Sequence, residues 1–177
     1  MTEPCDLSAV EARRLIGRKR LSPIELLESC IARIEMVNST VNAVVAKCYE
    51  RARSEARAAT EALVSGEKLP PLHGLPFGVK DLNDTQGLVT TYGSPLYRDN
   101  VPEKDELLVA KLRNAGGIVL GKTATPEFGA GGPKAHWPHT GDGGHWPPSR
   151  WGRLKHSSSL KSSPRTPPQP PPQKQIQ

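Results

Sequence analysis

The fold is decided by the stretch Leu72-His73-Gly74-Leu75-Pro76-Phe77-Gly78-Val79-Lys80-Asp81. It follows the pair Pro70-Pro71 and passes through a glycine and a proline into a short apolar segment, Phe77 to Val79. A short apolar run bounded by turn residues is typical of a buried β-strand. A lysine at the end of such a strand would be carried into the core or beside it.

Lys80, at the end of this run, has two interpretations. Burial lowers the pKa of a lysine because the charged form loses its hydration. A lysine that is partly neutral can act as a general base, including in Ser-Lys variants of the nucleophile-base pair. The alternative is a solvated lysine paired with Asp81, and solvated lysines are the rule in proteins. The chemistry of the stretch alone leaves both interpretations open.

Two capping boxes predict the first helices. Each is a serine followed three residues later by a glutamate, at Ser8 to Glu11 and at Ser22 to Glu25. Gly17 is expected to end the first helix, and the second is expected to run to about Val37. A strand at Val41 to Ala46, a helix at Glu50 to Val64 and a capping glycine at Gly66 follow. Within the second helix, Cys30 is expected to be a small core residue rather than a reactive thiol.

The segment after Lys80 predicts a crossover connection. A polar loop leads to a helix from Glu106 to Ala115, for which Asp105 is the expected N-cap. The apolar run Ile118 to Leu120, bounded by glycines, predicts a second buried strand. Strand, loop, helix and strand in this order predict an α/β fold with a mostly parallel sheet.

Composition divides the chain near Gly132. Residues 133–177 hold seven basic residues and one acidic residue, all three tryptophans and ten of the eighteen prolines. The net charge of +6 therefore belongs to this tail, while residues 1–132 carry equal numbers of acidic and basic residues. A nucleic-acid partner is not favoured, because the basic charge is absent from the folded part. We predict one domain over 1–132 and a disordered, low-complexity basic tail, rich in proline and serine, over 133–177.

The three cysteines, Cys5, Cys30 and Cys48, have neither metal-type nor disulfide-framework spacing. An odd number of unpaired cysteines suits a reducing compartment. No apolar run approaches the length of a membrane helix, and the acidic N-terminus lacks a signal segment. We therefore expect a cytoplasmic protein without membrane attachment.

Three segments resemble the N-terminal part of amidase signature enzymes. They are Leu72 to Asp81, Thr90-Thr91-Tyr92-Gly93-Ser94, and Gly121-Lys122-Thr123-Ala124-Thr125-Pro126-Glu127-Phe128-Gly129. Their order and spacing match the family, as does the stretch from Asp105 to Gly117 between them. The resemblance covers about Leu7 to Gly132.

The resemblance implies an α/β/α enzyme, with a mixed, mostly parallel sheet flanked by helices, that hydrolyses small carboxylic amides. It implies a Ser–cis-Ser–Lys triad without cofactor or metal. Lys80 matches the catalytic lysine and is the predicted general base. Lys122 is not the triad lysine. It ends a strand before the loop Thr123 to Gly132, which lines the active-site side in the family, and is given only a minor binding role.

Both serines of the triad belong to a Gly-Ser-Ser-Gly-Gly motif that this sequence does not contain. We therefore expect the chain as given to be truncated before both serines and inactive, because a lysine alone is neither nucleophile nor oxyanion donor. Stopping the sheet near Gly132 would leave its strands without later neighbours. A marginal, aggregation-prone fragment is the expected result.

Two other functions stay open. One is the amidase-type subunit of a tRNA-dependent amidotransferase, although Thr125-Pro126-Glu127-Phe128 is more similar to stand-alone amidases. The other is a non-catalytic interaction protein that uses the basic, proline-rich tail. The pattern does not indicate which amide is cleaved or how many subunits assemble.

The tail contains three other motifs. The triplet Ser157-Ser158-Ser159 lacks the glycines of the serine motif. The histidines at 136, 139 and 145 lack cysteine or carboxylate partners beyond Asp142, so a metal site is not favoured. The proline run at 167–172 predicts an extended chain. His145-Trp146-Pro147-Pro148 read in another frame encodes Leu, Ala and a third small residue. The tail is therefore interpreted as a possible frameshift product, with a divergent natural end as the alternative.

Overall fold

The protein is described here by a computed structural model, which describes residues 3–130. Four α-helices and three β-strands make up this region: α1 (Ala9–Gly17), α2 (Pro23–Val41), β1 (Val44–Lys47), α3 (Tyr49–Ser65), β2 (Pro76–Lys80), α4 (Leu107–Asn114) and β3 (Ile118–Thr123). Short helical turns lie at Pro4–Asp6, Pro95–Tyr97 and Glu127–Gly129. None of the helices in this part of the chain is long and apolar enough to cross a membrane.

Both predicted capping boxes are confirmed. Ser8 and Ser22 each accept a hydrogen bond from the backbone N–H three residues on, and the glutamate there accepts one in return. The helix α2 is longer than the sequence predicted, ending at Val41 instead of Val37. It stops because Asn42 adopts the left-handed conformation, with φ of 47°. Strand β1 consequently begins only at Val44.

The helix α4 lies within one residue of its predicted ends, but Asp105 is not its N-cap, so that prediction is wrong. Glu106 is the capping residue and its side chain makes no capping bond. The carboxylate of Asp105 instead accepts the Gln86 backbone N–H at 2.8 Å and lies 3.3 Å from the Arg113 guanidinium. It therefore ties α4 to the loop after β2.

The sheet has the order β1-β3-β2. Strands β2 and β3 are parallel, which confirms the predicted crossover, and β1 pairs with β3 antiparallel, so the sheet is mixed. β3 is the central strand and its residues Ile118 to Leu120 are buried, as predicted. β2 lies at an edge within this sheet, and only Val79 of its apolar segment is fully buried.

Helices cover both faces of the sheet. On one face, Ile118 and Leu120 pack against Leu27 of α2 and Ala52 of α3. On the other, residues from β2, β3, α4 and the intervening loop pack together: Val79, Val119, Val109 and Leu88. The helix α1 packs on α2 outside this core. The α/β class expected from the sequence is confirmed.

Cys30 is part of the packing between α2 and its neighbours. It contacts the cluster that α2 and α3 form against the sheet and also the cluster around α1. Burial raises the pKa of its thiol to about 11. A thiol with a raised pKa is a poor nucleophile at neutral pH, in agreement with the predicted core role.

Candidate active site

The candidate site lies where the parallel strands β2 and β3 end. Ligand sites in such sheets lie beyond the carboxyl ends of the strands. The loop after β2 and the loop after β3 meet there through two hydrogen bonds. The backbone N–H of Phe128 donates to the Tyr92 carbonyl at 2.7 Å, and the Ser94 hydroxyl donates to the Glu127 carboxylate at 2.7 Å.

Gly93 allows the two loops to approach this closely. Its φ is 70°, in the left-handed region. A Cβ at this position would lie 2.8 Å from the backbone oxygens of Thr125 and Pro126. The glycine in the Thr-Thr-Tyr-Gly-Ser segment is therefore required both by the turn and by the contact.

Lys80 is the last residue of β2, opposite Thr123 of β3. Its side chain is exposed, so of the two expected placements Lys80 is not in the core, although its neighbour Val79 is buried there. The physical reason is that β2 is an edge strand and Lys80 points to the face opposite Val79. No hydrogen bond or ion pair joins the Lys80 side chain to another residue within 3–130.

Asp81 does not serve as the partner of Lys80 that the alternative interpretation proposed. Its carboxylate is buried, with 1% exposure. It accepts hydrogen bonds from the backbone N–H of Thr91 at 3.2 Å and from the Thr91 hydroxyl at 2.5 Å. Asp81 therefore fixes the Thr-Thr-Tyr-Gly-Ser segment to the end of β2.

The buried lysine of this site is Lys122. It is 0% exposed and lies beside Val79 in the register of the parallel strands. Its ammonium donates to the hydroxyls of Thr85 at 3.1 Å and Thr90 at 2.9 Å, and also to the Asn83 carbonyl.

Burial lowers the pKa of Lys122 to about 8, and the carboxylate of Asp81, 3.9 Å away, opposes that shift. The desolvated lysine that the sequence suggested at position 80 is thus found at position 122. Strand β3 continues one residue beyond it, to Thr123. The minor binding role predicted for Lys122 stays a prediction, because the described contacts of its ammonium are all within the chain.

Tyr92 lies between the two loops. Its hydroxyl donates to the Asp84 carboxylate at 2.6 Å, and this hydrogen bond raises the pKa of Tyr92 to about 12. Its ring meets Tyr97 edge-on, with the centroids 5.0 Å apart, and Tyr97 meets Phe128 in the same way at 6.1 Å. These aromatic rings form one wall beside the loops.

The sequence predicts a polar loop from Asp81 to Gly87 and then the segment Thr90 to Ser94, without indicating the contacts of either. The structure gives definite partners to Asp81, Thr85, Thr90, Thr91 and Ser94. The signal in the sequence is compositional: four short hydroxyl side chains follow the strand-end Lys-Asp pair within fourteen residues. Such a density of donors and acceptors favours an ordered loop.

No three His, Cys, Asp or Glu side chains are grouped as metal ligands within residues 3–130. The histidines at 136, 139 and 145, the Ser157 triplet and the proline run lie outside the described residues. A cleft of about 420 Å³ is lined by Glu55, His73, Arg113 and the start of β3. It lies at the opposite end of the sheet from Lys80.

A family model described as Amidase matches residues 25–138. This chain belongs to the amidase family. The match includes both lysines, the crossover helix α4 and both loops of the candidate site. Among curated relatives, the chain is 42% identical over 123 residues to an acylamidase from Rhodococcus erythropolis, covering 70% of this chain and 26% of that protein. It is 37% identical over 125 residues to one subunit of the glutamyl-tRNA(Gln) amidotransferase from Prochlorococcus marinus, covering 71% and 26%.

Solved structures of amidases share this fold. A bacterial aryl acylamidase of the amidase signature family superimposes with a TM-score of 0.65 and 32% identity, covering 69% of this chain and 26% of that one. Another amidase structure gives a TM-score of 0.67 and 36% identity, covering 75% and 30%. This amidase-family chain therefore spans about a quarter of the length of the relatives it matches.

Proposed function

We propose that residues 3–130 form the amino-terminal part of an amide-hydrolysing site in which Lys80 is the general base. The observation that carries this proposal is the state of Lys80. It lies at the carboxyl end of an edge strand, exposed, with no partner for its ammonium among the described residues. A base must reach the proton it takes, and a lysine in this state is free to do so.

In the proposed reaction, the neutral amine of Lys80 takes a proton from a relay serine, which takes the proton of the nucleophilic serine. The nucleophile attacks the amide carbonyl and forms an acyl-enzyme. The amine leaves with a proton, and water then releases the acid. The Gly-Ser-Ser-Gly-Gly motif that holds both serines in the family is absent from this sequence. We therefore propose that the 177-residue chain by itself does not hydrolyse amides.

The position of β2 at the edge of the sheet, among the residues that the structure describes, fits the same proposal. In the complete enzyme, further strands would continue the sheet beyond β2 and enclose Lys80, which would supply the desolvation that its position now lacks. The parallel sheet would then be covered on both faces. Residues 133–177 are proposed to be a separate tail without a catalytic role.

The substrate class is proposed to be a small acylamide, cleaved in the cytoplasm. The acylamidase relative, at 42% identity, supports this, as does the similarity of Thr125 to Phe128 to stand-alone amidases. The second candidate is the amidase subunit of a tRNA-dependent amidotransferase. It is favoured by relatives named as subunits of glutamyl-tRNA(Gln) amidotransferases, at 37% to 40% identity. That assignment would require partner subunits.

A chimera tests the role of Lys80. The matched 123-residue segment of the Rhodococcus erythropolis acylamidase is replaced by the corresponding segment of this chain. We expect the chimera to hydrolyse an acylamide and Lys80→Met to lower its kcat by about 10²- to 10⁴-fold, the usual contribution of a general base. The unmodified 177-residue chain, assayed in parallel, should release no product.

Lys104→Met is the matched control, because Lys104 is also exposed and lies away from the strand ends. It should leave the kcat of the chimera unchanged. A folded Lys80→Met chimera with the kcat of its parent would refute the base assignment. Hydrolysis by the 177-residue chain that disappears in Lys80→Ala would refute the proposed inactivity.

A further inference from the structure

We infer that Lys122 is a positioning residue, whose buried ammonium holds the chain leaving β2 and thereby fixes the direction of Lys80. The inference rests on the proposed function, since it assigns a role in presenting the proposed base. Lys122 lies on the central strand and Lys80 on its parallel neighbour. They point to opposite faces, because Lys122 is in register with Val79.

The ammonium of Lys122 is the centre of the turn after β2. It has three N–H donors, and three acceptors surround it: the Asn83 carbonyl and the hydroxyls of Thr85 and Thr90. Asn83 and Thr85 lie at the start of the loop that leaves β2, and Thr90 lies five residues after Thr85. The Lys122 side chain thus forms hydrogen bonds to two separate segments of that loop.

The same turn holds the backbone of Lys80. The Asn83 N–H donates to the Lys80 carbonyl at 3.0 Å, and the Asp81 N–H donates to the Thr123 carbonyl at 2.9 Å. On the other side, Val79 is buried in the core. The residue that would act as the base therefore has a backbone fixed on both sides, and Asn83 links that backbone directly to Lys122.

The surroundings of Lys122 among the described residues favour a structural role over ligand binding or proton transfer. Its side chain has no exposed surface. Its charge is supported from several elements by carboxylates, of which Asp81 is nearest and Asp84, Glu106 and Asp105 contribute in turn. Such an arrangement makes the lysine an internal cross-link of the loop.

The test is NMR spectroscopy of the full 177-residue chain after reductive ¹³C-methylation, which labels exposed lysines. The Lys80 signal is assigned by its absence in Lys80→Arg. We expect Lys122→Met to move the Lys80 signal while those of Lys104 and Lys111, both exposed, stay in place. The Thr90 and Thr91 amides should exchange at least about tenfold faster, as expected when hydrogen bonds to a charged group are lost.

Removing the lysine also removes a charge, so Thr90→Val provides the second variant. Valine matches the shape of threonine, keeps the charge of Lys122 and deletes one acceptor. The Lys80 signal should move in the same direction by a smaller amount. Thr90→Val also decides the test if Lys122→Met does not fold.

A Lys80 signal that stays unchanged in Thr90→Val, while the loop amides exchange faster, would overturn the inference and leave Lys122 a purely structural residue. This measurement needs no catalysis. If the chimera is active but the Lys80 signal does not move, Lys122 is not a positioning residue and Lys80 can still be the base. If the Lys80 signal moves but the activity of the chimera does not change in Lys80→Met, Lys80 is not the base. The cross-link between Lys122 and the backbone of Lys80 then still holds.

Discussion

Two lysines near the ends of neighbouring parallel strands have opposite environments. Lys80 ends an edge strand and is exposed, whereas Lys122 lies on the central strand and is fully buried. Sequence could place both at one end of the sheet, because each follows a short apolar run. It could not decide which face each side chain occupies, since that depends on the register. The register shifts between Phe77 and Gly78, opposite β3.

The first prediction concerns pH. The pKa of Lys122 is about 8 in the folded chain and has its ordinary value of 10.5 when unfolded. Between these values the unfolded chain binds a proton that the folded chain lacks, so the free energy of unfolding rises with pH. Relative to Lys122→Met, the wild-type chain should therefore gain stability from about pH 8 to 10.5.

Urea unfolding of both chains at pH 7, 8, 9 and 10 measures this difference. Titration of Cys30, Cys48 and Tyr92, whose pKa values are raised, occurs in both chains and cancels. A difference in unfolding free energy that does not change with pH would show that Lys122 keeps an ordinary pKa in the fold.

The second prediction separates two contributions to the free-energy cost of replacing Gly93: the strained backbone conformation and the close contact with the neighbouring loop. Gly66 and Gly93 both have left-handed φ values, 77° and 70°, but a Cβ at Gly66 would meet nothing within 4 Å. Gly66→Ala should cost about 1 kcal/mol for the backbone conformation alone. Gly93→Ala should cost about 1–3 kcal/mol more, because the methyl group overpacks against Thr125 and Pro126. Equal losses in urea unfolding would contradict the close contact of the two loops.

At the scale of elements, local chemistry predicted most starts and some ends. The capping boxes at Ser8 and Ser22 and the left-handed Gly66 cap are as expected. Two failures have tertiary causes. Asp105 does not cap α4, because its carboxylate binds Gln86 and Arg113 instead. The helix α2 extends beyond Val37, because the Asn38 side chain bonds both backbone groups of Val44 and stabilises the end of the helix.

The third prediction tests the start of α2. Ser22→Ala removes the hydroxyl that accepts the Glu25 N–H and should cost about 1 kcal/mol of unfolding free energy. Glu25→Gln is the control, because glutamine also accepts the returning hydrogen bond and should cost less than half as much. If both variants unfold at the wild-type urea concentration, the capping box does not stabilise α2.

At the scale of the whole molecule, the break in composition near Gly132 lies close to the end of the family match at residue 138. The order of elements and the parallel crossover followed from the sequence, because each depends on short local patterns. The exposure of Lys80 did not, since it depends on which strands adjoin β2. The chain spans about a quarter of its relatives, and we propose that a larger sheet continues beyond β2, which is an edge strand among the described residues.

The fourth prediction concerns the tail. Residues 133–177 have the proline- and serine-rich, low-complexity composition from which we predict a disordered tail. Shortening the chain to residues 1–132 should therefore leave the midpoint of thermal unfolding unchanged. The free energy of unfolding should be low for both forms, below about 5 kcal/mol, the lower end for natural domains. A clear drop in the unfolding midpoint of the shortened chain would show that residues 133–177 contribute to the fold. Steep cooperative unfolding with a larger free energy would contradict the predicted marginal stability.

Both proposed roles require Lys80 and Lys122 to differ in accessibility, and acetylation of the native chain tests this difference most directly. The 177-residue protein is treated briefly with an amine-reactive acetyl donor at pH 8.5, digested and analysed by mass spectrometry. Lys80 should be acetylated as fast as exposed Lys104, and Lys122 should stay unmodified until the chain is unfolded in urea. A protected Lys80 together with an acetylated Lys122 would contradict both the proposed base and the proposed positioning residue.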